Sequence, residues 1–557
     1  MGIRKRWCAW ILAVLMLCAA LTGCTGEGSG NEADTSTALG VMRKYNTAQP
    51  QEIDDNYRSY YEVFVYSFYD SDGDGVGDLN GLTEKLDYIN DGDPSTDTDL
   101  GCTGIWLMPI MPSPSYHKYD VADYLNIDPQ YGTMEDFRTF LEAAHQRGIN
   151  VIIDFVMNHT SSDHPWFQEA AAYLRGLEAG AEPDLTACPY VGYYNFSREP
   201  STCRLEGTEW YYEAPFWSGM PDLNLNNEAV RAELETVVDF WLDLGVDGFR
   251  LDAAKEFVSG ATDINIEILT WFNDMVKAKK DDAFIVAEVW TDLNTYAQYY
   301  ASGVSCFNFS FGDSGGVIPS VVKHIGETTA SSYGRAIVRL QDALAAYNPD
   351  YIDAPFYTNH DMGRAAGHYL GEYAMYQTKM AQALNLLMSG SSFLYYGEEL
   401  GMKGSGKDEN KRAPMYWSDS AEYPGLCDGP ADMDDFQMKF SSYEDQYADG
   451  DSIFWFAAQA IRLRDAHPAI ARGTAAFEEA LSDENVCVLR KTWGEEEVLL
   501  VFNISESPQS VDLSGITVSG GSPAIGGVLV TTAEEPALES GTLSLPMYSV
   551  AVLNGSR

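Results

Sequence analysis

Three short segments carry acids whose types and order could do chemistry: Gly248-Phe249-Arg250-Leu251-Asp252, Ala287-Glu288-Val289-Trp290 and Asn359-His360-Asp361. Each acid stands at or near the end of a short apolar run. Cleavage of a glycosidic bond asks for such a set: a nucleophilic carboxylate, a protonated carboxyl over the leaving oxygen, and a further charge that steadies a cationic transition state. Arg250 and His360 flank the acids, and basic neighbours favour the ionised form of a carboxylate and fix its direction. One Asp or Glu at a strand end is ordinarily a capping or surface group. Three in this company are not.

Positioning such acids takes separate strand ends facing one cleft. From Tyr61 onward, apolar strand-like runs alternate with helical patterns, the signature of parallel βα units. The runs predict strands over 63–68, 104–109, 150–157, 248–251, 284–289, 306–309, 354–357 and 393–396. Between them, Leu79, Leu82, Leu86 and Ile89 share one helix face. Thr133 and Asp136 form a capping-box pattern ahead of a stripe of Phe137, Phe140, Leu141 and Ala144. Eight such units give an α/β fold, a (β/α)8 TIM barrel, with its active site at the C-terminal strand ends. The barrel is expected over 51–158 and 221–472. Residues 159–220 form a loop-rich insertion after strand 3, too long for a plain connection. From 473 to 557 the pattern changes to short alternating strands, an antiparallel β-sandwich.

The 557-residue chain has 45% hydrophobic residues, enough for a large core, and a formal net charge of −48. That balance excludes nucleic acid and anionic membrane surfaces as partners, since both require basic patches. Arg4, Lys5 and Arg6 precede an apolar run that ends in Leu21-Thr22-Gly23-Cys24. The run is short for a membrane span and reads as an export signal over 1–24. Its last four residues resemble a bacterial lipobox, which implies a lipid anchor on Cys24 at the outer face of the cell membrane. Residues 25–50, polar and rich in Gly, Ser and Thr, are expected to be a flexible tether. Cys188 and Cys203 share one loop-rich stretch, which leaves a disulfide between them open.

These motifs together resemble those of the α-amylase family of glycoside hydrolases, family 13, over nearly everything after the tether. Asp154-Phe-Val-Met-Asn158-His159, Gly248 to Lys255, the segment around Glu288, Thr358-Asn359-His360-Asp361 and Met220-Pro221-Asp222-Leu223-Asn224 match the family's motifs. The resemblance implies Asp252 as nucleophile, Glu288 as general acid/base and Asp361 as transition-state stabiliser. It also implies sugar contacts from Tyr119, His117, His159, Arg250, Lys255, His360 and Arg364. Arg250 lies two residues before Asp252 on an extended strand, so both point to the same side. The apolar neighbours of Glu288 suit a carboxyl that keeps its proton.

Asp70-Ser-Asp72-Gly-Asp74-Gly75-Val76-Gly77-Asp78 opens like a calcium loop but has Gly81 at its twelfth position, where an EF-hand carries Glu. It resembles the nine-residue calcium loop of some family members. That likeness implies Ca2+ bound by the side chains of Asp70, Asp72, Asp74 and Asp78 and the carbonyl of Val76. A second calcium near Asn158 stays open, because Glu256 stands where relatives carry a basic residue. Ala253 and Ala254 after the nucleophile resemble members acting on α-1,4 links. The fifth motif and the segment Arg412-Ala-Pro414-Met415-Tyr-Trp417 resemble a group between oligo-1,6-glucosidases and neopullulanases. The expected activity is hydrolysis of starch and malto-oligosaccharides. The alternatives are a 4-α-glucanotransferase, a neopullulanase-like enzyme and a glucan-binding protein without catalysis; the last would lack one of the three acids.

Overall fold

A computed structural model describes residues 35–556. The predicted signal segment 1–24, its lipid-bearing Cys24 and the tether up to residue 34 lie outside the described residues. No described helix is long and apolar enough to cross a membrane.

Eight parallel strands form the central sheet: β1 Ser59–Val63, β2 Gly104–Leu107, β3 Asn150–Phe155, β4 Gly248–Leu251, β5 Phe284–Ala287, β6 Ser305–Asn308, β7 Ala354–Pro355 and β8 Ser392–Tyr395. They neighbour one another in that order, with β8 beside β1, and a parallel bridge from Phe356 to Phe393 closes the ring. The register pairs Glu62 with Trp106, Trp106 with Ile152, Ile152 with Gly248 and Gly248 with Phe284. Residues in register share a face, and side chains alternate along each strand. Tyr60, Trp106, Ile152, Phe284, Phe307 and Phe393 therefore fill the barrel interior as one apolar plug. The next inward positions, Glu62, Asp154 and Arg250, lie above that plug on the C-terminal side. Gly248 is required where β4 crowds β5, since a Cβ there would sit 1.8 Å from the Phe284 carbonyl oxygen.

Strand β1 lies earlier than its apolar run suggests. The run Val63 to Phe68 looks like a strand, yet Val65–Ser67 is a 3-10 turn and the strand is Ser59–Val63. Its inward face carries Tyr60 and Glu62, which breaks the apolar pattern on which the prediction rests.

The insertion after β3 contains the helix Pro165–Gly176 and a small sheet of Phe196–Ser197, Tyr211–Tyr212 and Cys203–Arg204. Cys188 and Cys203 are both free thiols. The C-terminal part packs a five-stranded antiparallel sheet over a three-stranded one. Alternation divides its residues: Val486, Val488, Leu499, Val501, Ala551 and Leu553 face the smaller sheet. Cys487, Leu489, Leu500, Phe502, Val550 and Val552 belong to the main core shared with the barrel. Both faces of the larger sheet are thus buried.

The tether expected over 25–50 is corrected over Ala38–Tyr45. Ala38–Tyr45 is a helix, N-capped by Thr37 with Arg43 and Lys44 in its last turn. Ala38, Leu39, Val41 and Met42 are buried, and the Asn46 side chain bonds both the N–H and the carbonyl of Val528. The apolar spacing Leu39, Val41, Met42 is too brief to register against the polar residues before it. Met42→Ala is expected to cost about 2–5 kcal/mol, the usual range for emptying a buried methionine site. Thermal melting checks this, and a variant melting like the native protein would show that the helix is merely laid on the surface.

Candidate active site

Arg250 organises the site. It is fully buried at the top of the barrel, with its guanidinium 5.1 Å from the centre of the Trp106 ring. One terminal nitrogen donates to Asp154 Oδ1 at 3.0 Å and to Asp252 Oδ1 at 2.6 Å. The other donates to Glu288 Oε2. Two carboxylates from two strand ends are thereby held on adjacent nitrogens of one planar group. After Asp252 the chain turns sharply, with Ala253 at φ 50°, and the Ala253 N–H points at Glu288 Oε2, 3.4 Å away. A non-glycine residue in that region is strained, and the strain sits next to Asp252.

The acids differ in how they hold protons. Burial pushes the Glu288 carboxyl up to about 7; Arg250 restrains the rise, while Asp252 and Asp361 add to it. Asp154, fully buried, is likewise raised to about 7 by burial against the pull of Arg250. Asp361 goes the other way. Burial raises it, but His360, Arg412 and Arg250 together hold it well below the usual carboxylate range. Its Oδ2 lies 3.0 Å from His360 Nε2, and its Oδ1 accepts from Arg412 at 3.1 Å.

These groups open onto a cleft of ≈ 480 Å³ lined by His117, Tyr119, His159, Asp252, Glu288 and Asp361. Phe216, Trp217, Met220, Lys255 and Trp290 extend its wall, with Phe216 and Trp217 each 50% exposed. Exposed aromatic faces beside polar groups suit the apolar faces of pyranose rings. Trp290 is braced by stacking on Phe309, ring centres 4.7 Å apart. A larger cavity of ≈ 670 Å³ lies at the other mouth of the barrel, lined by Arg58, Thr103, Asn150 and Asp247 at or just before the starts of their strands. It contains none of the three acids.

Two histidines have their tautomers set by neighbours. His117 Nδ1 accepts the Tyr119 N–H at 3.1 Å, and burial lowers the ring to about 4, so a neutral ring has its Nε2–H left to donate. His159 Nδ1 faces the Asn158 amide nitrogen at 3.3 Å, while its buried Nε2 has no protein partner and the residue lines the cleft. A missing hydrogen bond at that place suits a sugar hydroxyl. The fifth motif is tied to the same strand end, with Leu223 N donating to Asn158 O at 2.9 Å and Asn158 donating to Asp222 Oδ1 at 3.1 Å. Burial, then Glu213 and Glu256, raise Asp222 to about 8.

Three expected sugar contacts are corrected. Arg250 spends its two terminal nitrogens on acids and does not reach the cleft surface. His360 is also behind the wall, its nitrogens facing Glu62 Oε1 at 2.6 Å and the Tyr119 hydroxyl at 2.8 Å. Arg364 is fully buried, donating to Tyr396 O at 2.6 Å and Lys411 O at 2.9 Å beneath the Tyr395 and Tyr396 rings. Arg412 takes the place expected of Arg364, on the cleft wall beside Asp361 and bonded to the Tyr116 hydroxyl at 3.0 Å. Only its setting in the Arg412 to Trp417 segment marks it in the sequence.

In the acidic loop, ligand atoms of Asp70, Asp72 and Asp78 lie within 4.8 Å of one another, the one such trio among the described residues. Asp70 and Asp78 are buried, and no ion pair from a described Lys or Arg reaches the loop's four acids. Converging carboxylates without a counter-charge fit a hard cation. Asp74 stands outside the trio and accepts the Val76 N–H at 2.8 Å. Gly75, at φ 92°, makes room for the Asp428 carboxylate, which a Cβ would meet at 2.5 Å.

The model for the alpha amylase catalytic domain matches residues 62–473. The chain belongs to the α-amylase family. It is 42% identical to Alpha-amylase 3 of Dictyoglomus thermophilum over 65% of this chain and 67% of that one. The solved structure of Eubacterium rectale Amy13B is 51% identical, with a TM-score of 0.89 over 93% of this chain and 99% of that one. The alpha-amylase from H. orenii is 34% identical, with a TM-score of 0.78 over 90% and 100%. The protein is therefore an α-amylase-family glycoside hydrolase with its catalytic domain present.

A general acid works only while protonated. With Glu288 at about 7, kcat/KM on malto-oligosaccharides is expected to fall about tenfold per pH unit above pH 7. A pH–rate profile checks this; an alkaline limb near the ordinary carboxylate range would remove Glu288 from that role.

Proposed function

We propose that this family member hydrolyses α-1,4-glucosidic bonds of starch and malto-oligosaccharides with retention of configuration. The observation that carries the mechanism is the shared guanidinium. Asp252 and Glu288 occupy adjacent nitrogens of Arg250, which supports the close spacing of a retaining pair, roughly 5 Å, over the wider gap that admits an inverting water. In this reading Asp252 attacks the anomeric carbon while Glu288 protonates the leaving oxygen. Glu288 then takes a proton from water, which releases the glycosyl group from Asp252. Asp361, held ionised, faces the positive charge that develops at each transition state.

The linkage preference draws support from Ala253 and Ala254 after the nucleophile and from relatives named alpha-amylase. Released sugars from amylose and pullulan, followed over time, test it. Malto-oligosaccharides from amylose are expected to dominate. Faster release of panose from pullulan would favour the neopullulanase-like reading, and elongated chains would favour a 4-α-glucanotransferase. Asp252→Asn is expected to lower starch hydrolysis by about a thousandfold or more. Freshly released products should show the α-anomer by NMR; the β-anomer would sink the retaining mechanism.

The acidic loop is proposed to hold Ca2+ through Asp70, Asp72 and Asp78, where the ion would neutralise the trio and fix the loop. Elemental analysis should find calcium, and chelator should lower the melting temperature of the native protein but not of Asp70→Asn. Metal-free protein that melts identically with and without chelator would count against the site. The reading of residues 1–24 as a lipoprotein signal supports action on external glucan from the outer face of the cell membrane.

A further inference from the structure

Glu62 lies on no cleft wall and in none of the sequence motifs, yet it is a carboxyl group 1% exposed at the heart of the barrel. It points inward from β1, one inward position above Tyr60. Its hydrogen-bond partner is His360 Nδ1, 2.6 Å from Oε1. The other face of that imidazole meets two oxygens, the Tyr119 hydroxyl at 2.8 Å and Asp361 Oδ2 at 3.0 Å. The Tyr119 hydroxyl gives its own proton to Asp154 Oδ2 at 2.9 Å. It must then accept from Nε2, which requires Nε2–H. An ionised Glu62 accepts only, which requires Nδ1–H. The ring is also clamped sideways, stacked on Tyr119 with centres 5.4 Å apart and meeting Trp106 edge-on at 5.7 Å.

We propose that Glu62 is a positioning residue for catalysis: its carboxylate fixes the His360 ring in the doubly protonated form, and that ring holds Asp361 ionised and aimed at the sugar. The proposal rests on the reading of Asp361 as the transition-state stabiliser. Burial alone would strip the ring of its charge; Asp361 and Glu62 reverse this and raise it to about 9. Burial also raises Glu62 itself, against the opposing pull of His360 and Arg250. The charged groups around the ring are thus Glu62 from β1, Asp361 from its own loop, Asp154 from β3 and Arg250 from β4. Electrostatically, Glu62 cancels the imidazolium, so that Asp361 keeps a net negative charge toward the developing cation. A buried histidinium without that carboxylate would oppose the transition state or lose its proton.

Glu62→Gln separates charge from shape, since glutamine fills the same volume and still accepts from Nδ1–H. A purely structural role predicts a native-like E62Q. The positioning role predicts kcat on malto-oligosaccharides lower by on the order of tenfold or more, with KM changed less than about threefold. In 15N-histidine NMR, one imidazole, identified by its absence from His360→Gln, is expected to carry both protons in native protein at about pH 8. Its titration midpoint should fall by about one unit or more in E62Q. In the double variant, adding E62Q to H360Q should cost no more than about threefold in kcat. Native kcat in E62Q, a neutral His360 in native protein at about pH 8, an unmoved midpoint, or multiplicative losses in the double variant would each overturn the proposal. The native-protein spectrum decides even if E62Q does not fold. Asp361→Asn is the separate control: if it turns over at the native rate, the role of Asp361 fails, whatever E62Q does.

Discussion

The site depends on one buried positive charge. Arg250 has no exposed surface, and a guanidinium taken out of water is tolerable only when its donors are met by acceptors of opposite charge. Asp154, Asp252 and Glu288 meet its two terminal nitrogens, each from a different strand end, while the Trp106 ring closes the face below. The interaction works in both directions. The acids make the buried arginine affordable, and the arginine draws three strand ends to a common point. The aromatic plug under it, from Tyr60 to Phe393, fills the barrel and keeps water from relieving the constraint from below.

Charge placement then sorts protons among acids of the same chemical kind. Glu288 and Asp361 both stand near Arg250 and both are desolvated, yet the first is raised to about 7 and the second is held well below the usual carboxylate range. The difference is the second cation. Asp361 has His360 on one oxygen and Arg412 on the other, whereas Glu288 must share Arg250 with Asp154 and Asp252. Burial leaves Glu288, whose one cation is shared, at about 7, whereas the added pull of His360 and Arg412 holds Asp361 well below the usual carboxylate range. That split is what a pair of acids needs in order to serve as donor and as anion at one pH.

Much of this arrangement is legible in the sequence. Seven of the eight strands, the long insertion, the capping box at Thr133 and the three acids follow from periodicity and from short motifs, while the first strand is displaced from its apolar run. The legible residues share a property: each sits at or after the end of a strand or at the start of a helix, where composition changes abruptly. What stays hidden lies elsewhere. Glu62 is inside a strand whose apolar run appears to begin after it, so its inward direction shows only once the register with Trp106 is known. Arg364 and Arg412 are indistinguishable by type, and which of them faces the cleft is decided by how the chain after β8 folds back. The helix Ala38–Tyr45 is too short to assert itself by pattern; its buried side depends on strand Pro523–Leu529, nearly five hundred residues away.

The segment carrying Arg412 also connects the cleft wall to the acidic loop. Met415 donates its N–H to Ser67 O at 2.8 Å, and the Trp417 indole donates to Phe68 O at 2.6 Å, both in the turn just before the loop. Further on, Asp70 N bonds Gly425 O at 3.0 Å and Asp428 N bonds Gly75 O at 2.8 Å, so the same segment is fastened again on the loop itself. Arg412 is fastened to the same turn directly, its carbonyl accepting from the Ser67 hydroxyl at 2.8 Å. The residue that meets Asp361 and the residues that meet the acidic loop therefore belong to one segment tied to one turn, separate from the arginine that holds Asp252.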